Sequence, residues 1–139
     1  MPTARDPHEF VFEIDLAIRT QVVQKLEASL ELPLREDVAP ELKGVYVLYR
    51  QGALVYAGKA LHTTLKRRLK EHARKIAGRH NVTLDQMTCR FLTIESDWFV
   101  RAAEDALIAG YNPVWNRSGF GSHAPGAWPS WHPVESVGC

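Results

Sequence analysis

The sequence predicts an α/β (α+β) domain, a small antiparallel sheet of about three strands flanked by helices. Three observations carry this. The apolar period changes from three or four to two at Gly44 and returns to helical spacing near residue 64. Two β-branched and aromatic runs, Gly44-Val-Tyr-Val-Leu-Tyr-Arg50 and Leu54-Val-Tyr56, flank a glycine, which is a hairpin signature. The chain has 139 residues, 45% of them apolar and 24% charged, enough for one ordinary core and too little for two domains. The expected organisation is one domain over residues 1–139: a helical extension (1–42), a core (43–116) and an irregular tail (117–139).

Residues 10–32 read as a helix, with Phe12, Leu16, Val22, Val23, Leu26 and Leu30 as its apolar stripe. Residues 33–41 hold Pro33, Pro40 and four charges and are expected to form a loop. The hairpin is expected to turn through Arg50-Gln51-Gly52, with Gly52 left-handed. That register makes Tyr46 and Tyr56 direct cross-strand neighbours on one face. Residues 64–77 form the next helix, with Leu65, Leu69, Ala73 and Ile76 inward and Gly78 as its stop. Residues 87–94 read as the third strand. Ser96 or Asp97 caps a last helix running to about Gly110 before Pro113. Beyond it, Gly119, Gly121, Pro125, Gly126, Pro129 and Pro133 break regular structure, while Phe120, Trp128 and Trp131 call for burial.

No run reaches 18 apolar residues, so no membrane span is expected. Residues 1–10 lack a signal-peptide pattern. Cys89 and Cys139 form neither a CxxC pair nor a disulfide framework. The expectation is a reduced, cytoplasmic protein. The net charge of +1 conceals an uneven distribution: −5 over residues 1–42, +9 over 43–90 and −3 over 91–139. A basic middle third points to a polyanionic partner, although a solvated basic helix face would look the same.

Several residues stand in a telling order: Gly44-Val45-Tyr46, then Tyr56-Ala57-Gly58, then Arg68 and His72 on the basic helix, then Glu104, then Asn116. In these residues the sequence resembles the GIY-YIG nuclease superfamily, its signature tripeptides appearing as GVY and YAG. Tyr56-Ala-Gly-Lys-Ala60, Arg68-Leu-Lys-Glu-His72 and Gly119-Phe-Gly-Ser-His-Ala-Pro-Gly126 resemble the type II restriction endonucleases of that superfamily more narrowly. Three departures stand out. Ala57 replaces the usual Ile, the segment between Lys59 and the basic helix is very short, and the chain is small for the group. The short segment bears on base recognition more than on cleavage.

The resemblance implies a metal-dependent endonuclease cutting double-stranded DNA. It implies a water-activating role for Tyr46, a phosphate-holding role for Arg68, metal binding by Glu104 and a mainly positioning role for Asn116. Residue chemistry agrees. Arginine offers a phosphate a forked pair of hydrogen bonds that lysine cannot. One carboxylate with substrate oxygens and waters suffices for Mg²⁺ (or Mn²⁺). A phenol is a poor base at neutral pH unless cations such as Lys59, Arg68 or the metal favour its phenolate. Tyr56 and His72 are the other proton acceptors, and Arg68 and His72 lie one helical turn apart. Lys59, Lys66, Arg67, Lys70, Arg74 and His123 are the expected DNA contacts. A two-fold DNA site suggests a possible homodimer.

Taken singly, each residue has an ordinary reading: sheet tyrosines, solvated helix charges, a surface histidine, a turn asparagine. His123, His132 and Cys139 show no metal-ligand spacing. Two other functions stay open: a low-specificity or structure-specific nuclease, such as a repair nickase or toxin domain, and a non-catalytic nucleic-acid-binding module.

Overall fold

The computed structural model describes residues 7–117. Its elements are α1 (Ile14–Glu27), β1 (Leu32–Pro33), β2 (Gly44–Arg50), β3 (Ala53–Ala60), α2 (Leu65–Ala77), β4 (Met87–Thr93), α3 (Asp97–Tyr111) and α4 (Val114–Arg117). The strands form one antiparallel sheet in the order β1-β4-β2-β3. This is the expected α+β architecture with one more strand. Residues 32–33 pair with Cys89 and Thr88 at the sheet edge, where a proline is tolerated.

Helices cover both faces of the sheet. On one face Leu65, Leu69, Ala73 and Ile76 of α2 pack on Tyr46, Leu48, Tyr56 and Ala60. On the other, Val22 and Leu26 of α1 and Val100, Ala103 and Leu107 of α3 pack on Val45, Val47 and Ala57. The central strand β2 is therefore buried at all positions but its last. The α2 stripe is the one expected. Thr64 caps this helix by accepting from Arg67 N at 3.2 Å. Ser96 caps α3 by accepting from Phe99 N at 3.4 Å.

Three expectations are corrected. The first helix is shorter than residues 10–32, and Phe12, Leu16 and Leu30 are exposed, not core. Val22 and Leu26 are buried against α3 and the sheet, with Ile18 and Val23 partly buried beside them, because the apolar residues are spread around the helix. Second, the hairpin turns through two residues, not three. Gln51 (φ 50°) and Gly52 (φ 88°) are both left-handed, as a tight primed turn requires, and Arg50 pairs with Ala53. Third, a bulge at Leu48/Tyr49 shifts the register again, so Leu48 faces Tyr56 and Tyr46 faces Gly58. Tyr46 and Tyr56 are thus diagonal neighbours. They still share a face because the two shifts add to a full strand period.

Candidate active site

The GVY and YAG glycines have steric reasons. A Cβ on Gly44 would lie 1.9 Å from Leu92 O. A Cβ on Gly58 would lie 2.6 Å from Tyr46 Oη and 2.9 Å from Tyr56 Cε2. Gly58 therefore leaves room for the Tyr46 phenol to lie over edge strand β3 on the α2 face. The phenols belong to the α2 face and Lys59 to the α3 face, since strand side chains alternate. The charge of Glu104, on α3, adds to the effect of burial on both phenols.

Around this opening the residues named from the sequence converge. Tyr46 Oη lies 2.7 Å from His72 Nε2. The Tyr46, Tyr56 and His72 rings form a triangle with centroid separations of 6.1, 5.4 and 5.2 Å. All three are buried; His72 is no surface residue. Burial pushes the Tyr46 phenol well above its ordinary pKa, and neighbouring Tyr56 adds to this, while Arg68 opposes it. Burial likewise pushes Tyr56 up to about 12 against the pull of Arg68. Among the protein's own groups, desolvation outweighs the pull of Arg68 on the Tyr46 phenol.

Arg68 is mostly buried. Its Nη1 donates to Glu71 Oε1 at 2.9 Å, while Nε and Nη2 have no well-formed hydrogen bond among the described residues. Burial opposes its charge, but the two phenols and Glu71 outweigh that and hold its pKa above the usual value. Glu104 Oε1 accepts from Lys59 Nζ at 3.0 Å in a part-buried ion pair. Lys59, expected as a DNA contact, reaches the candidate metal ligand. Asn116 clamps the edge of β3: its Oδ1 accepts from Ala57 N at 2.9 Å and its Nδ2 donates to Ala57 O at 2.8 Å.

The basic helix is more neutralised than its sequence suggests. Lys66 pairs with Glu41 at 3.6 Å, Arg67 with Glu71 at 3.5 Å and Arg74 with Glu36 at 3.2 Å. Lys70 lines the same groove, together with His62 and Thr63. Two acids of the N-terminal segment thus lie against the basic face. The first N–H groups of α2 are also taken: Leu65 N donates to Leu42 O and Lys66 N to Pro40 O. Phosphate contacts here must come from side chains. His123 and residues 118–139 lie outside the described residues. Sequence reasoning missed His62, Thr63 and Glu71 as parts of the groove; only Glu71 had a signal, its spacing three residues after Arg68.

Cys89 is buried, and burial pushes its thiol up to about 12, so it behaves as a small apolar residue. No described helix is long and apolar enough to cross a membrane. Among the described residues there is no group of three or more His, Cys, Asp or Glu able to hold a metal. A single buried carboxylate beside phenols and a guanidinium nevertheless fits a hard divalent ion that keeps waters and takes substrate oxygens.

This sheet, with the GVY and YAG strands paired antiparallel so that Tyr46 faces Gly58 and with an arginine, histidine and glutamate gathered near them, defines a GIY-YIG nuclease domain. The sequence model of the Eco29kI GIY-YIG domain matches residues 43–129. The chain belongs to this restriction endonuclease family, and the domain is a DNA-hydrolysing nuclease. Among solved structures, the GIY-YIG N-terminal endonuclease domain of UvrC from Thermotoga maritima, bound to its catalytic magnesium, is similar at 22% identity and a TM-score of 0.39. The alignment covers 76% of this chain and 99% of that one. A point mutant of the same domain, bound to its catalytic divalent cation, aligns at 22% identity and a TM-score of 0.40, covering 76% and 98%. No curated protein sequence matches the chain.

Proposed function

We propose that this chain is a type II restriction endonuclease that hydrolyses double-stranded DNA with one Mg²⁺ or Mn²⁺ held by Glu104. The observation that carries the reading is the convergence of Tyr46, Tyr56, His72 and Arg68 with the Lys59–Glu104 pair at the Gly58 opening. Arg68 holds the scissile phosphate through its Nε and Nη2. Tyr46 takes a proton from the attacking water while its own proton passes to His72 Nε2 at 2.7 Å. This relay suits a buried phenol, because no free phenolate has to form. Tyr56 packs against both partners and fixes their angle. A divalent ion on Glu104 supplies charge stabilisation for the leaving 3′ oxygen. Asn116 holds the edge of β3, and with it Tyr56 and Gly58, in place.

Lys59, Lys66, Arg67, Lys70, Arg74 and His123 form the proposed DNA-contacting set. Residues 43–116 form the proposed catalytic core, residues 1–42 an N-terminal extension and residues 117–139 a tail of the same single domain. One site cuts one strand, so a homodimer acting in the cytoplasm completes the double-strand break.

Incubating plasmid with protein and Mg²⁺ tests the reading. Discrete fragments, abolished by Glu104→Ala, are expected; no cleavage of any nucleic acid would overturn it. A low-specificity or structure-specific nuclease is the second reading. The connection from β3 to α2, only residues 61–64, favours it because little chain is left there to read bases. A smear or a branch-dependent nick is its signature.

A further inference from the structure

We propose that Glu71 is the positioning residue for the phosphate-binding arginine, setting the direction in which Arg68 presents its Nε/Nη2 edge. This rests on the reading of Arg68 given above.

A guanidinium has five N–H donors arranged in a plane, and its Nε and Nη2 donors make a two-pronged edge that matches two oxygens of a phosphate. In this structure that edge is buried beside the Tyr46 and Tyr56 phenols, which interact with Arg68, and it makes no well-formed hydrogen bond among the described residues. The remaining nitrogen, Nη1, is held by Glu71 Oε1 at 2.9 Å. The division is chemically specific. Glu71 takes the nitrogen that a side-on phosphate does not need and leaves the two that it does.

The Tyr46 and Tyr56 phenols also act on the guanidinium, but Glu71 makes its one well-formed hydrogen bond among the described residues. The backbone N–H groups at the start of α2 are already bonded to the 40–42 carbonyls and to Thr64. Phosphate recognition beside Arg68 therefore falls to side chains. A cleft of about 410 Å³ opens there, lined by Lys59, His62, Thr63, Arg67, Arg68 and Glu71. Glu71 is the only carboxylate on that lining, in a place where charge alone would repel DNA. An acid kept in a phosphate groove needs a reason, and orienting the arginine supplies one. Its second contact, Arg67 Nε at 3.5 Å, is long and exposed and leaves Arg67 available to DNA.

The test compares Glu71→Ala and Glu71→Gln with the unaltered chain for kcat, for DNA binding without metal, and for thermal midpoint. Glu71→Ala is expected to lower kcat about 10–100-fold, the scale of a misplaced catalytic contact. DNA binding should hold or tighten, because a negative charge leaves the groove, and the thermal midpoint should not move. Glu71→Gln keeps an acceptor oxygen and is expected to recover most of the rate. In an Arg68→Lys background, Glu71→Ala should cost nothing further. An unchanged kcat in Glu71→Ala, no recovery in Glu71→Gln, or full additivity with Arg68→Lys each overturns the proposal. If Arg68→Ala cleaves normally, the functional reading itself fails; if Arg68→Ala is inactive while Glu71→Ala is fast, only the positioning role fails.

Discussion

Tyr46 Oη and His72 Nε2 meet at 2.7 Å, although the two side chains come from the central strand and from the helix that covers it, 26 residues apart. Neither reaches solvent. A buried hydroxyl and imidazole joined this way form a proton path insulated from bulk water. Tyr46→Phe keeps the ring and its packing but removes the path. Its kcat on plasmid should fall about 10²–10⁴-fold, the usual contribution of a positioned acid or base. Stability should fall by about 1–3 kcal/mol, because His72 loses a buried partner. Cleavage rates and urea denaturation read the two effects separately.

Gly58→Ala tests the opening in the edge strand. The added methyl meets Tyr46 Oη at 2.6 Å, so the phenol must move. Overpacking of this kind costs about 1–3 kcal/mol. Displacing a catalytic group by about 1 Å costs about 10²-fold in rate. Gly52→Ala is the control: the turn has open space, and only the left-handed backbone is strained. It should lose about 1 kcal/mol and cut DNA at the normal rate.

Alkaline titration should destabilise the fold. Tyr46 and Tyr56 have folded pKa values raised above the ordinary 10, Tyr56 to about 12. The unfolded chain releases these protons first. Stability is therefore complete below pH 10 and declines as pH rises through 10 towards 12, by up to about 1.4 kcal/mol per pH unit for each phenol. Urea midpoints across this range, with phenolate absorbance as a second signal, check it. A flat profile would count against the buried, neutral phenols.

Metal affinity should depend on Glu104 and on the cation that shares it. Glu104→Ala should lower Mn²⁺ affinity more than about 100-fold, beyond the loss typical of outer-shell partners. Lys59→Met should raise it several-fold, because Lys59 competes for Glu104 Oε1, which it reaches at 3.0 Å. Calorimetric titration without DNA measures both.

The N-terminal acids should restrain DNA binding. Glu36 and Glu41 pair with Arg74 and Lys66. Replacing both with Gln should tighten binding in metal-free buffer. The salt dependence should steepen by about 0.9 for each cation released to a phosphate.

Much of this was legible in the sequence, and the failures have identifiable causes. The α2 stripe followed from period, and the grouping of Tyr46, Tyr56, Arg68, His72 and Glu104 was implied by the resemblance to the GIY-YIG superfamily. The Tyr46–Tyr56 pairing did not, because a bulge leaves no trace in alternation and a primed turn shortens the loop by one residue. β1 was missed because two residues are too few to show a period. The pairing of residues 36 and 41 with the basic helix depends on a loop path that local pattern does not encode. The Lys59–Glu104 pair was not legible because strand alternation shows which side of the sheet a residue faces, not what waits there.

The Asn116 amide has a consequence beyond catalysis. Its two hydrogen bonds to Ala57 occupy the outward N–H and C=O of an edge strand, as one residue of a neighbouring strand would. An uncovered strand edge invites another polypeptide to add to the sheet. Asn116, with Trp115 buried beside it, blocks that addition in mid-strand. The residue thus guards solubility: it keeps the enzyme's outermost strand from serving as a template for aggregation.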